Sequence, residues 1–116
     1  MVNATQLKAG IGDYIQQRMM PRLDSKRQFL LGTLYGMCAG RMDTILAQAA
    51  QNPTVRALGV VRDDGQIDID AVYSAAHAQM QTQQKLRFDI PLMGEFTFDE
   101  SDLRDLRECI AGRENA

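Results

Sequence analysis

Leu86-Arg87-Phe88-Asp89-Ile90-Pro91-Leu92-Met93-Gly94-Glu95-Phe96-Thr97-Phe98-Asp99 alternates apolar and polar residues on both sides of a turn and ends on an aspartate. Leu86, Phe88 and Ile90 fall on one face of an extended segment over residues 86–90. Phe96 and Phe98 fall on one face of a second, over residues 95–98. Pro91-Leu92-Met93-Gly94 supplies the turn residues between them. Asp99 stands where a carboxylate can accept from the first free N–H groups of a helix. Leu103, Leu106 and Ile110 follow at helical spacing, and Gly112 closes the run. The stretch spells strand, turn, strand, helix.

The same order occurs once before. Val60-Val61 and Ile67-Asp68-Ile69 flank Arg62-Asp63-Asp64-Gly65-Gln66, which carries an Asp-Gly turn. Asp70 is placed to cap a helix bearing Val72, Tyr73, Ala76 and Met80 and ending in the polar run from Gln79 to Lys85. Gly65-x-Ile67-x-Ile69-Asp70 aligns with Gly94-x-Phe96-x-Phe98-Asp99 at an offset of 29 residues. The expectation is two ββα units forming a small antiparallel sheet packed on helices, since neither unit can bury its apolar face alone. Chance recurrence of strand, turn and cap chemistry, common in any α+β protein, is the favoured explanation of the likeness over duplication.

Upstream the period changes to that of helices. Asn3 and Gln6 have the form of a capping box, and Leu7, Ile11, Tyr14, Ile15 and Met19 make one apolar stripe that Pro21 ends. Asp24 or Ser25 caps a second helix expected to run to about Gln51, because Asn52 precedes a proline and resists helical geometry. Asn52-Pro53 opens a short third helix closed by Gly59. The whole is a single α+β domain over residues 1–116, with a helical hairpin in residues 1–58 and the ββα-ββα part in residues 59–116.

The second helix holds the least ordinary pattern, Gly32, Gly36 and Gly40 at four-residue intervals. Each glycine inside a helix costs roughly 0.5–1 kcal/mol relative to alanine, so three together point to another backbone lying close. That neighbour is either the first helix or sheet of the same chain, or the same helix of a second copy. Small residues at this spacing signal close approach without saying whose.

Composition narrows the class. The 116 residues are 45% hydrophobic and 24% charged, the usage of an ordinary folded domain rather than a disordered or fibrous chain. The uncharged stretch over residues 28–40 is too short and too glycine-rich to span a bilayer, which needs about 20 apolar residues. The opening residues lack a basic segment leading into an apolar one, so a signal peptide is not indicated and a cytoplasmic setting is expected. Cys38 and Cys109 form no CxxC and are expected to be reduced, buried thiols. Residues 1–58 carry a net charge of +4 and residues 59–116 one of −6, a polarity that either steers an acidic partner to one end or lets the halves of one chain, or two copies, attract each other.

No constellation for catalysis, metal or cofactor emerges. Asp63, Asp64, Asp68 and Asp70 surround Gly65, but with that glycine in sixth place Val60, Arg62 and Ala71 occupy liganding positions of a calcium loop. They are better explained by turns and caps. His77 stands alone, without a placed nucleophile or orienting carboxylate, and there is no phosphate loop or dinucleotide fingerprint. Glu95, Asp99, Glu100, Asp102, Asp105 and Glu108 gather near the last helix as a solvated face, several in its first turn where the helix dipole favours them. Arg18, Arg22, Lys26 and Arg27 gather at the tip of the helical hairpin, where they form either a solvated tip or a contact for phosphates or an acidic partner. Met19, Met20, Met37, Met42, Met80 and Met93 add adaptable apolar surface.

Taken in order and spacing, Asp89-Ile90-Pro91-x-x-Gly94-x-Phe96-Thr97-Phe98-Asp99, Asp64-Gly65-x-Ile67-Asp68-Ile69-Asp70 and the Gly-rich helix resemble small uncharacterised proteins encoded in prophages of Gram-positive bacteria. The resemblance covers most of the chain and implies a phage-associated accessory, assembly or host-interaction role, in the host cytoplasm. It carries no site residues. The leading expectation is a non-enzymatic interaction or structural module that forms homo-oligomers through Gly32, Gly36 and Gly40, with no cofactor. An inhibitor that binds a host protein or captures a small ligand at a subunit interface is the alternative. A nucleic-acid binder using Arg18, Arg22, Lys26 and Arg27 is the third.

Overall fold

The computed structural model describes residues 1–83 and 85–114. Gln84, within the polar run expected to end a helix, lies outside them. The described elements are α1 (Ala4–Tyr14), a π turn (Ile15–Met19), a 3-10 turn (Met20–Arg22), α2 (Ser25–Ala39), α3 (Met42–Gln51), α4 (Pro53–Leu58), α5 (Ile69–Gln83), β1 (Lys85–Ile90), β2 (Gly94–Asp99) and α6 (Glu100–Ala111). The fold is α+β, with a helical N-terminal region and a two-stranded antiparallel sheet.

Local chemistry explains most boundaries. Asn3 Oδ1 accepts from the Gln6 amide at 2.8 Å and Gln6 Oε1 accepts from the Asn3 amide at 2.9 Å, so the capping box that begins α1 is present in both directions. Pro21 sits in the 3-10 turn, where its missing N–H ends the helical ladder. Asp24 caps α2, Asn52 caps α4, and Gly59 takes the left-handed conformation after it, with φ 71°. Asp99 and Asp102 form a second capping box at the start of α6.

The second helix is two helices. It stops at Ala39 and resumes at Met42, because Gly40 lacks a side chain to hold the turn and Arg41, at φ −106° and ψ 1°, leaves helical geometry. The single helix expected over residues 25–51 is thereby corrected.

Of the two expected hairpins, the second forms as read. β1 and β2 pair with Leu86 opposite Phe98 and Phe88 opposite Phe96. Leu86, Phe88, Ile90, Phe96 and Phe98 share one face, whereas Lys85, Arg87, Asp89, Glu95 and Thr97 share the other. The first hairpin is reduced to single bridges: Ile67 pairs with Val61 and, from the far side, with Val2. Val2 and Ile67 exchange both backbone hydrogen bonds, at 3.0 and 2.7 Å. Ile69, expected to end a strand, opens α5 instead. Asp68 rather than Asp70 supplies the cap, its Oδ1 accepting from the amides of Asp70 and Ala71 at 3.1 Å each.

Val2, Ile67, Ile69 and Ile110 are the centre of a buried cluster, with Leu7, Ile11, Leu46 and Leu106 packed against it. Burial of side chains of this size contributes roughly 1.5–3 kcal/mol each. Tyr14, Leu31, Met80, Met93 and Leu103 are buried as well. α1 and α6 cross closely at Gly10, where an added Cβ would lie 2.5 Å from the Ile110 Cα. Arg113 fixes the same pair of helices by donating twice to Asp13, at 2.6 and 2.8 Å.

Candidate interaction face on helix α2

α2 returns along α1 and is held there by few contacts. The Tyr35 hydroxyl donates to the Lys8 carbonyl, and Tyr35 stands over Gly12, where an added Cβ would meet the phenol oxygen at 2.9 Å. Leu31 is buried, and the Gln28 side-chain amide donates to the carbonyls of Met20 and Leu23 at 2.8 and 3.2 Å. These residues define the inward side.

The outward side follows from helical geometry. At 3.6 residues per turn, Ser25, Phe29, Gly36 and Gly40 fall within a sector about 60° wide, with Thr33 and Met37 along one edge. Phe29 is 74% exposed and Met37 64% exposed. Beyond α2, Ile45 and Leu58 are also largely exposed.

The three expected interface glycines have different surroundings. Gly32 has one neighbour, the Met20 Cε, at 3.8 Å from an added Cβ, an ordinary contact. No atom of the described residues comes within 4 Å of a Cβ on Gly36, and Gly40 meets only carbonyl oxygens of its own helix. Packing of the glycine ridge against the first helix or sheet is therefore not what Gly36 and Gly40 do. The close helix contacts that do need glycine lie at Gly10 and Gly12, which spacing alone marks only as members of the first helix. Glycine spacing passes over Phe29 too, although its seven-residue separation from Gly36 places both on one line.

The basic tip is divided. Arg18 lies 4.0 Å from Asp105 and Arg22 4.0 Å from Asp102, both on α6, while Arg27 lies 3.9 Å from Asp24. Lys26 has no ion-pair partner among the described residues. The basic first half thus meets the acidic second half partly within the chain, and exposed pairs of this kind are worth little individually. The aspartates around Gly65 are likewise occupied: Asp64 accepts from the Gln66 amide in the turn, Asp63 pairs with Arg56, and Asp70 with Arg107. His77 is stacked on Tyr73 with ring centroids 5.7 Å apart, and its Nε2 lies 2.8 Å from Glu100.

Beneath the apolar face of the hairpin is a hollow of about 320 Å³, walled chiefly by Ile11, Tyr14, Met19, Phe88, Phe96 and Phe98, with Arg22 and Asp102 at its edge. Phe88 and Phe96 stack across the strands and Tyr14 meets Phe98 edge to face at 6.4 Å. Burial pushes the Tyr14 phenol up to about 12, and the carboxylate of Asp102 adds to the shift while Arg22 opposes it. Cys109 is half-buried, which raises its thiol, but Cys38 is exposed, contrary to the expectation of two buried thiols.

Among the described residues no cluster of His, Cys, Asp and Glu is arranged to hold a metal, and no helix is long and apolar enough to cross a membrane. In comparisons with protein-family models, curated proteins and solved structures, the chain matches none.

Proposed function

We propose that this chain is an interaction module that acts by contact rather than turnover and assembles with copies of itself through the outward face of α2. One observation carries the reading: Phe29, three-quarters exposed, stands in line with Gly36, over which nothing described in the chain lies. An exposed phenylalanine gains roughly 1.5–3 kcal/mol on full burial, and an unneeded glycine in a helix costs up to about 1 kcal/mol. A face that keeps both is explained by a surface that closes over it. The likeness of the hairpin and Gly-rich helix to prophage-encoded proteins gives this reading a phage-associated setting.

Mass measurement by sedimentation or light scattering, from micromolar to millimolar chain, tests it. The expected result is a concentration-dependent rise from 13.0 kDa to a multiple of that value, abolished by Phe29→Asp with an unchanged circular dichroism spectrum. A mass of 13.0 kDa at every concentration overturns it.

A further inference from the structure

We infer that the hollow beneath the hairpin is a binding site for a small, uncharged aromatic molecule carrying a carbonyl group, with its rings among Phe88, Phe96 and Phe98 and its oxygen accepting from the Tyr14 hydroxyl. None of the lining residues belongs to α2, so this site stands apart from the self-association reading.

The hollow holds about 320 Å³, room for a molecule displacing roughly ten waters and at the lower end of the range for ligand cavities. Two fused rings with a short substituent are about that size. The walls are rich in aromatic rings: Phe88 and Phe96 stack across the strands, and Tyr14 meets Phe98 edge to face. Phe88 nevertheless remains 44% exposed, so its ring still has apolar surface for a guest to cover. Tyr14 adds a polar group. The residue is 6% exposed, yet its hydroxyl has no hydrogen-bond partner among the described residues. Every fully buried side-chain oxygen of the described residues does have a partner, so this hydroxyl reaches open space, and the space Tyr14 lines is the hollow. Apart from burial, the charges that act most on its proton are Asp102 and Arg22, both at the hollow's edge, which places the hydroxyl at that end. An acceptor entering there completes a hydrogen bond that the chain does not make for itself.

Charge selects the kind of acceptor. Arg22 lies 4.0 Å from Asp102, and Arg18 4.0 Å from Asp105. Asp99 is held by the amides of Asp102 and Ser101 at the start of α6, where the helix dipole favours its charge. Every charge that acts on the Tyr14 proton is therefore answered within the chain, and none is left to compensate an ion brought out of water. A carboxylate guest would stand among these aspartates, and an ammonium guest would stand beside Arg22. A carbonyl oxygen accepts from the phenol without either penalty. A purely apolar guest would leave the hydroxyl without an acceptor and displace the water that can serve it.

Equilibrium dialysis of the whole chain at neutral pH tests this with naphthalenes of nearly equal size: acetylnaphthalene, ethylnaphthalene, naphthoate and naphthylmethylammonium. The ketone is expected to bind, and both ions roughly tenfold or more weakly than it does. Tyr14→Phe is expected to weaken the ketone by roughly three- to tenfold, the worth of one neutral hydrogen bond, and to leave ethylnaphthalene within about twofold. The variant's circular dichroism should not change, because the lost hydroxyl bonds nothing described in the chain. In wild type, nuclear Overhauser contacts between the naphthyl protons and the rings of Phe96 and Phe98 should locate the ketone without any substitution. Failure of the ketone to bind, or contacts away from the hairpin, overturns the site. Tighter binding of either ion overturns the uncharged ligand, and a loss in Tyr14→Phe no larger for the ketone than for ethylnaphthalene overturns the role of the phenol. None of these outcomes bears on the mass of the chain, so self-association stands or falls separately.

Discussion

A methyl group added at Gly10 would stand 2.5 Å from the Cα of Ile110, and α1 and α6 cross as closely as they do because it is missing. Backbone, not a flexible side-chain end, is what the methyl would strike, so neither helix can yield locally. The buried cluster of Val2, Ile67, Ile69 and Ile110 is assembled around this crossing.

Gly10→Ala is accordingly expected to destabilise the fold by about 1–3 kcal/mol, overpacking outweighing the gain in helix propensity. Urea denaturation would show a lower midpoint with an unchanged slope. An unchanged midpoint would mean that the two helices are farther apart.

Gly36→Ala should have the opposite sign. Nothing described lies within 4 Å of the new methyl, so in dilute, monomeric protein the helix gains roughly 0.5–1 kcal/mol. The pair of substitutions, measured side by side, distinguishes a packing glycine from an exposed one on the same assay.

Acid stability should depend on Asp13. The paired hydrogen bonds from Arg113 hold its carboxyl below the ordinary 3.8, so the folded state takes up this proton at lower pH than the unfolded chain. The stabilisation is present in full above the unfolded value and is lost as pH falls through the folded one. Asp13→Asn should be less stable than wild type at neutral pH, and the difference should vanish as pH falls well below about 4. Asp99, lowered chiefly by the Asp102 amide, contributes in the same window.

Tyr14 should shape the alkaline limb. Its phenol ionises at about 12 when folded, against 10.0 for an unperturbed group, so between those values the unfolded chain loses the proton first and stability falls as pH rises. Ultraviolet titration should show a late tyrosine component, and Tyr14→Phe should remove it.

Leu92 carries strain without burial. It is 84% exposed and lies at φ 70°, a conformation that costs an ordinary residue about 1–2 kcal/mol. Leu92→Gly should raise the thermal midpoint, corresponding to about 1 kcal/mol. A loss of stability instead would show that the leucine side chain is packed.

What is legible in the sequence is local. Asn3 with Gln6, Asn52-Pro53 with Gly59, the turn after Ile90 and the cap at Asp99 each declare themselves within a short span, because the groups they satisfy lie in the adjoining turn. The break at Gly40 is not, since Met42, Ile45 and Leu46 continue the apolar period past it and no proline intervenes. Nor is the true partner of Ile67. A strand signal of three residues says nothing of Val2, far away at the start of the chain, and the bridge between them leaves the first hairpin without a ladder. On the candidate face, the glycines are visible from spacing alone, yet which of them lacks a neighbour depends on Met20, whose methyl reaches Gly32 across the turn between helices.

The clasp between Asp13 and Arg113 joins residues 100 positions apart, and the Gly10 crossing spans the same distance. During synthesis α1 therefore leaves the ribosome with its apolar stripe unsatisfied and waits for α6 before it can be shielded. A chain stalled or clipped ahead of α6 should be captured by chaperones or degraded, whatever the intrinsic quality of its earlier helices.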